Sequence, residues 1–226
     1  MKAIFCRTAA LALLGTTAYS AQAASSYSLD DLADHSGGGP ELVAHGGTLS
    51  GGTYTFGANQ GLSLNWSGFN PADYTLGVRF SFNSLPGGWL KVLDFAHLGR
   101  DEGLYVFGDH LQFVVQAGSD FRNGPDGAFH DDQWTYLKIT RDGSTQRFTA
   151  FLDGTQQFSF IDSTGQAVFA GPLPLATFFV DDTATGGGEA GAGRVDGLVV
   201  SSVPLPASAP LLLSGLAWLR TRRRAA

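Results

Sequence analysis

Apolar and polar residues alternate with a period of two through most of the middle of the chain. In Tyr74–Phe82, the residues Leu76, Val78, Phe80 and Phe82 fall on one face, the pattern of a half-buried strand. Residues 134–141 and 146–152 read the same way and are rich in aromatic and β-branched side chains. Between them Asp142-Gly143 predicts a tight turn, and Asp153-Gly154 repeats the device before a strand over 156–160. Further strands are predicted at 52–56, 62–66, 90–95, 104–107, 111–116, 176–180 and 194–200. The Gly-rich stretches at 37–39 and 186–188 read as loops within one domain. No segment between the two chain ends carries a helical period. Many short strands punctuated by turns predict an all-β, antiparallel sandwich over 24–202.

The two ends break the alternation. Lys2 and Arg7 precede an apolar run over 8–17, and Ala21-Gln22-Ala23 follows as a small-x-small sequence. That order predicts a secretory signal peptide over 1–23, cut by a signal peptidase after Ala23. The lone cysteine, Cys6, leaves with it. A disulfide framework, a cysteine zinc site and an iron–sulfur cluster are excluded.

The other end, 203–226, runs Val203-Pro204-Leu205-Pro206-Ala207, then an apolar segment to Leu219, then Arg220, Arg222, Arg223 and Arg224. It resembles the PEP-CTERM sorting tail in its VPLPA form. The resemblance implies processing by an exosortase-type enzyme in a Gram-negative envelope, and an association with exopolysaccharide. Arginines beyond an apolar helix stay on the cytoplasmic side. The 13-residue run from Ala207 to Leu219 contains Pro210 and Gly215. At 1.5 Å per residue such a helix reaches about 20 Å, short of the ~30 Å hydrocarbon core. Transient membrane engagement is therefore the expectation, with the protein ending in the cell envelope or the extracellular matrix.

Charge sharpens this division. The whole chain carries −6, from 14 basic and 20 acidic residues. Six of the basic residues lie in the two ends, which leaves the middle eight bases against every acid, 17 of them Asp, and a net charge of −12. Such a surface opposes nucleic-acid binding, which needs cations to displace phosphate counterions.

Within the middle, Trp134-Thr-Tyr-Leu-Lys-Ile-Thr-Arg-Asp142 is followed by Phe148-Thr-Ala-Phe-Leu-Asp-Gly154. Later come Phe178-Phe-Val-Asp-Asp182, a Gly-rich loop, and Arg194-Val-Asp-Gly-Leu-Val-Val200. In this order they resemble laminin G-like domains over most of residues 40–202. The resemblance implies a concanavalin A-like jelly roll whose function lies in its loops and on its concave sheet. It also implies a rim calcium, here held by Asp181, Asp182 and Glu189 with backbone carbonyls of the Gly-rich loop.

The superfamily includes glucanases, so enzyme chemistry needs a test. A retaining glycosidase holds two carboxylates about 5–5.5 Å apart. The best strand for this contains Asp94, but its i−2 and i+2 neighbours are Val92 and Ala96. Asp101 and Glu102 are adjacent and would point to opposite sides of a strand. Gly-x-Ser-x-Gly, His-Glu-x-x-His and Walker motifs are absent. His35, His45, His97, His110 and His130 are scattered, and His130-Asp131-Asp132 reads as a solvated loop.

The expectation is a non-enzymatic exported protein that binds polysaccharide or another surface ligand. Trp89, Trp66 and Tyr105 are the candidate stacking platforms, with Asp and Asn as hydroxyl acceptors. The alternatives are a passive matrix component and a glycoside hydrolase.

Overall fold

The computed structural model describes residues 25–36, 39–169 and 174–201. The segments expected to be a signal peptide, with Ala21 and Ala23, and a sorting tail, from Val203 to Arg224, lie outside the described residues.

Among the described residues, fifteen strands, all paired antiparallel, form two sheets. One contains β1 (Ser25–Tyr27), β3 (Thr48–Ser50), β4 (Thr53–Phe56), β6 (Tyr74–Phe82), β11 (Thr135–Asp142), β12 (Arg147–Leu152), β13 (Thr155–Ile161) and β15 (Gly193–Ser201). Its order is β13-β12-β11-β6-β15-β4-β3, and β1 shares the β15 edge with β4. The other contains β2 (Leu42–His45), β5 (Gly61–Asn65), β7 (Trp89–Asp94), β8 (Gly103–Phe107), β9 (His110–Gln116), β10 (Asp120–Asn123) and β14 (Leu175–Phe178). Its order is β10-β9-β8-β7-β14-β5-β2. No helix occurs among the described residues. The all-β sandwich expected from the alternation is the observed fold.

The alternating residues do what their spacing predicts. Leu76, Val78, Phe80 and Phe82 of β6 point into the core, which Leu90, Leu104, Leu111 and Phe113 enter from the opposing sheet. The core is strongly aromatic. Trp66 is fully buried, stacked 4.0 Å from Phe169, and its indole N–H donates to the Asn70 carbonyl at 3.2 Å. A sugar cannot reach that ring, so Trp66 is a core residue and not a platform. Its apolar surface serves the fold instead, where loss of a buried Trp costs about 3–5 kcal/mol.

The Asp153-Gly154 turn has both residues at positive φ, 47° and 83°, the backbone of a two-residue hairpin with right-handed twist. The Asp153 carboxylate also accepts the Tyr136 N–H at 2.9 Å, tying the turn to β11. Asp142 and Arg147 are the last paired residues of the preceding hairpin, so its connection is the four residues 143–146, the length predicted but shifted by one residue. Trp134 lies outside the core, between the guanidinium groups of Arg79 at 4.8 Å and Arg194 at 5.3 Å.

Strand directions place the two ends of the sandwich. Ser25 pairs with Val200, and Ser201 with Thr75, so the described chain starts and stops at one end. Phe82 pairs with Gly193 at the other. The short link from Phe82 to Trp89 puts the start of β7 at that second end, with the β8–β9 turn.

Candidate functional site

Across β7, β8, β9 and β10, alternation sends one set of side chains inward and the other to the outer face of the seven-stranded sheet. Leu90, Val106 and Leu111 go to the core. Outward, the register aligns Trp89 with Phe107 and His110, and the next row aligns Lys91, Tyr105, Gln112 and Asn123. The two rows differ in exposure: Trp89 is 37% exposed, whereas Lys91 and Tyr105 are at 0%.

Trp89 is an aromatic plate fixed on both sides. Its indole N–H donates to Gln112 Oε1 at 2.6 Å, and the Gln112 amide donates in turn to Asn123 Oδ1 at 2.9 Å. Phe107 packs against the indole at 4.5 Å. A ring held in this way presents a face that suits stacking on a sugar; Gln112, 4% exposed, serves to orient it, and of the two amides Asn123 is the one that meets solvent. Gln112 and Asn123 are visible as partners of Trp89 only through the strand register.

Tyr105 is no platform. It is enclosed with Lys91, whose three ammonium hydrogens are all used. They go to the Glu102 carbonyl at 2.9 Å, to Asp182 Oδ2 at 2.8 Å and to the Tyr105 hydroxyl. Asp94 Oδ2 stands 3.7 Å from the same nitrogen. Its other oxygen accepts the Ala96 and Leu98 N–H groups at 2.9 and 2.8 Å, so this carboxylate caps the turn after β7.

The Gly-rich loop after β14 covers this row, and the Asp pair shapes it. Asp182 Oδ1 accepts the Ala184 and Thr185 N–H groups, while Asp181 Oδ2 accepts the Thr185 hydroxyl and the Glu189 N–H. The Glu189 carbonyl then receives the Lys91 N–H at 2.8 Å, docking the loop onto β7. Of the three residues expected to hold calcium, Asp182 has the ammonium of Lys91 beside it, while Asp181 Oδ1 and Glu189 Oε2 are enclosed and reach no hydrogen-bond partner. The three do not converge as a ligand group among the described residues.

Electrostatics follow this arrangement. Burial would raise the Asp182 carboxyl, but the Lys91 ammonium outweighs it and holds the group below its ordinary value. Asp94 is raised, chiefly by burial. Burial, then the Asp182 charge, pushes the Tyr105 phenol far up. Glu189 is pushed up to about 7 by burial and by the charges of Asp101, Asp181 and Asp182.

A cavity of about 400 Å³ opens at the other end of this sheet, lined by residues including Glu102, Gln116, Asp120, Arg122, Phe160 and Gln166. Arg122 pairs with Asp120 and lies 5.4 Å over the Phe160 ring. The lining residue Asp162 is held by Arg141 at 2.9 Å, and Glu102 by Arg100 at 3.3 Å. Each carboxylate on the cavity wall thus has a cationic partner. One metal-competent group does converge among the described residues: Asp109, His110 and Asp126 have ligand atoms within 4.8 Å of one another.

No protein-family model and no curated protein sequence matches the chain. Solved structures do. Domain 4 of AbnA, a GH43 extracellular arabinanase from Geobacillus stearothermophilus in complex with arabinotriose, aligns at 17% identity and TM-score 0.57 over 83% of this chain and 96% of that one. The Trypanosoma rangeli sialidase in complex with 2,3-difluorosialic acid aligns at 12% identity and TM-score 0.58, over 82% of this chain and 31% of that one. A botulinum neurotoxin type C structure, from a toxin whose cell entry depends upon interaction with two ganglioside molecules, aligns at 10% and 0.57 over 84% and 50%. These likenesses show the fold. At such identities they carry no residue assignments, and the chain spans about half or less of the toxin and sialidase chains.

Proposed function

We propose that the protein is an exported, non-enzymatic carbohydrate-binding β-sandwich that holds polysaccharide against the outer face of its seven-stranded sheet. The observation that carries this reading is the Trp89 plate, exposed yet locked through Gln112 to Asn123. The fold neighbours complexed with arabinotriose and a sialic acid analogue support it, since the same sandwich occurs in proteins that engage sugars. Export rests on the sequence of the ends: a signal peptide cut by signal peptidase and a tail handed to an exosortase-type enzyme in a Gram-negative envelope. The described chain starts and stops at the end opposite Trp89, so a domain tethered by its tail would present the plate outward. The non-enzymatic reading is supported by the engagement of Asp94, Asp120, Asp162 and Glu102 with partners of their own.

Polysaccharide pull-down and a glycan array on the purified protein, with its intact mass recorded, test this. Binding that falls about tenfold in Trp89→Ala, at an unchanged melting midpoint, is expected; tenfold corresponds to about 1.4 kcal/mol. Absence of glycan binding by the intact protein would favour a passive matrix component.

A further inference from the structure

We infer that Asp109, His110 and Asp126 form a binding site for a divalent transition-metal ion of the zinc type. Two loops are clamped together to make it. The β8–β9 hairpin turns through Gly108 at φ 59° and Asp109, and the Asp109 carbonyl accepts the N–H groups of Ala128 and Phe129 at 2.9 and 3.0 Å. Phe129 is buried against Phe80 in the core, and Gly127 turns at φ 75°, so Asp126 is presented to the hairpin by an anchored segment.

His110 is oriented from beneath. Phe107 meets its ring edge-to-face at 5.6 Å and 72°. Its Nε2 is enclosed and reaches no hydrogen-bond partner, which leaves Nδ1 as the nitrogen available to a ligand. Nδ1 stands 3.1 Å from Asp126 Oδ1 and 3.9 Å from Asp109 Oδ1. Ligand bonds of about 2.1 Å in tetrahedral geometry separate two donors by about 3.4 Å, so these spacings bracket the requirement. Both carboxylates are more than half exposed, which gives an ion access from solvent.

The donor set decides the class of metal. Calcium takes six to eight oxygens, whereas one imidazole nitrogen with two carboxylates suits zinc and its neighbours. Two acids around one imidazole, on a domain carrying −12, leave negative charge that such an ion neutralises. Three protein ligands also leave a coordination position open. The ion would lie beyond Phe107 from Trp89, and its binding does not depend on that of a glycan.

Calorimetric titration of the chelator-treated protein with zinc chloride tests the site. One ion per chain is expected, and affinity at least tenfold weaker in each of His110→Gln and Asp126→Asn. Those variants should melt as the parent does without metal, and His35→Gln should bind as the parent does. Zinc at a hundred times its Kd should raise the parent's midpoint by roughly 5–10 °C, with millimolar calcium producing no such rise. Absence of binding heat, or equal affinity in parent and His110→Gln, would overturn the proposal.

Discussion

Trp89 and Lys91 are two residues apart on β7 and share the outer face of one sheet, yet they live in different surroundings. Trp89 is 37% exposed and its ring meets solvent; Lys91 is at 0%, with every ammonium hydrogen bonded. Strand geometry treats the two positions alike. What separates them is the loop after β14, which docks on β7 through the Glu189 carbonyl and brings Asp182 down onto Lys91. A covering segment turns an open sheet face into a second, polar interior, and the row it leaves uncovered becomes the surface available to a ligand.

The largest expected effect lies in the covered row. Lys91→Met leaves Asp182 and Asp94 buried without their cation, and breaking a buried pair from one side costs about 3–5 kcal/mol. For a domain of this size the melting midpoint should fall by about 10 °C or more. Lys91→Met combined with Asp182→Asn should recover part of that loss, because the amide keeps an oxygen for Ala184 and Thr185 while the stranded charge disappears. A double-mutant cycle with no coupling between the two positions would break the comparison. In the open row the effect should move from stability to binding. Trp89→Ala should lower glycan affinity about tenfold and leave the midpoint within the range of a surface substitution, read by calorimetry on the same sample.

The comparison also explains which parts of the molecule were legible in the sequence. Long central strands such as β6 and β11 declare themselves because one face is apolar and the other is not. The four strands missed, β1, β2, β3 and β10, are three or four residues long and pair on one side only or along part of one edge. They contain residues such as Ser25, His45, Thr48 and Asp120, whose pairing comes from neighbours and not from their own pattern. Trp89, Trp66 and Tyr105 look equivalent in sequence. Which of them is exposed depends on Phe169 stacking over Trp66 and on Asp182, 77 residues away, closing over Tyr105. Lys91 inside an apolar strand is a signal that a buried cation needs partners, but the strand cannot say that the partner lies beyond β14. The same holds for His110 and Asp126, joined by a clamp between two loops.

A smaller effect should appear in the covering loop itself. Burial pushes Glu189 up to about 7 from an ordinary 4.5, so the folded protein holds this proton more tightly than the unfolded chain does. Its contribution is intact below about pH 4.5 and is lost as pH rises through about 7. Glu189→Gln, which cannot ionise, should melt like the parent at acid pH and above it at pH 8. The side chain is partly exposed, so the gain should be at most about 1 kcal/mol, roughly 2–4 °C. A difference between the two melting curves that stays flat from pH 4.5 to 8 would show that the loop does not seal this carboxylate.

The smallest effect separates the ring at position 89 from its orientation. Gln112→Ala removes the acceptor of the indole N–H and the donor to Asn123 while leaving Trp89 in place. One hydrogen bond contributes about 0.5–1.5 kcal/mol, so glycan affinity should fall about threefold, less than in Trp89→Ala. Gln112→Glu restores an acceptor to the indole and should bind more tightly than Gln112→Ala. If Gln112→Ala instead binds as the parent does, exposed area alone accounts for the plate, and the difference from Lys91 reduces to the presence or absence of a cover. If it falls as far as Trp89→Ala, the fixed angle of the ring is what a sugar recognises, and the open row is as constrained as the closed one.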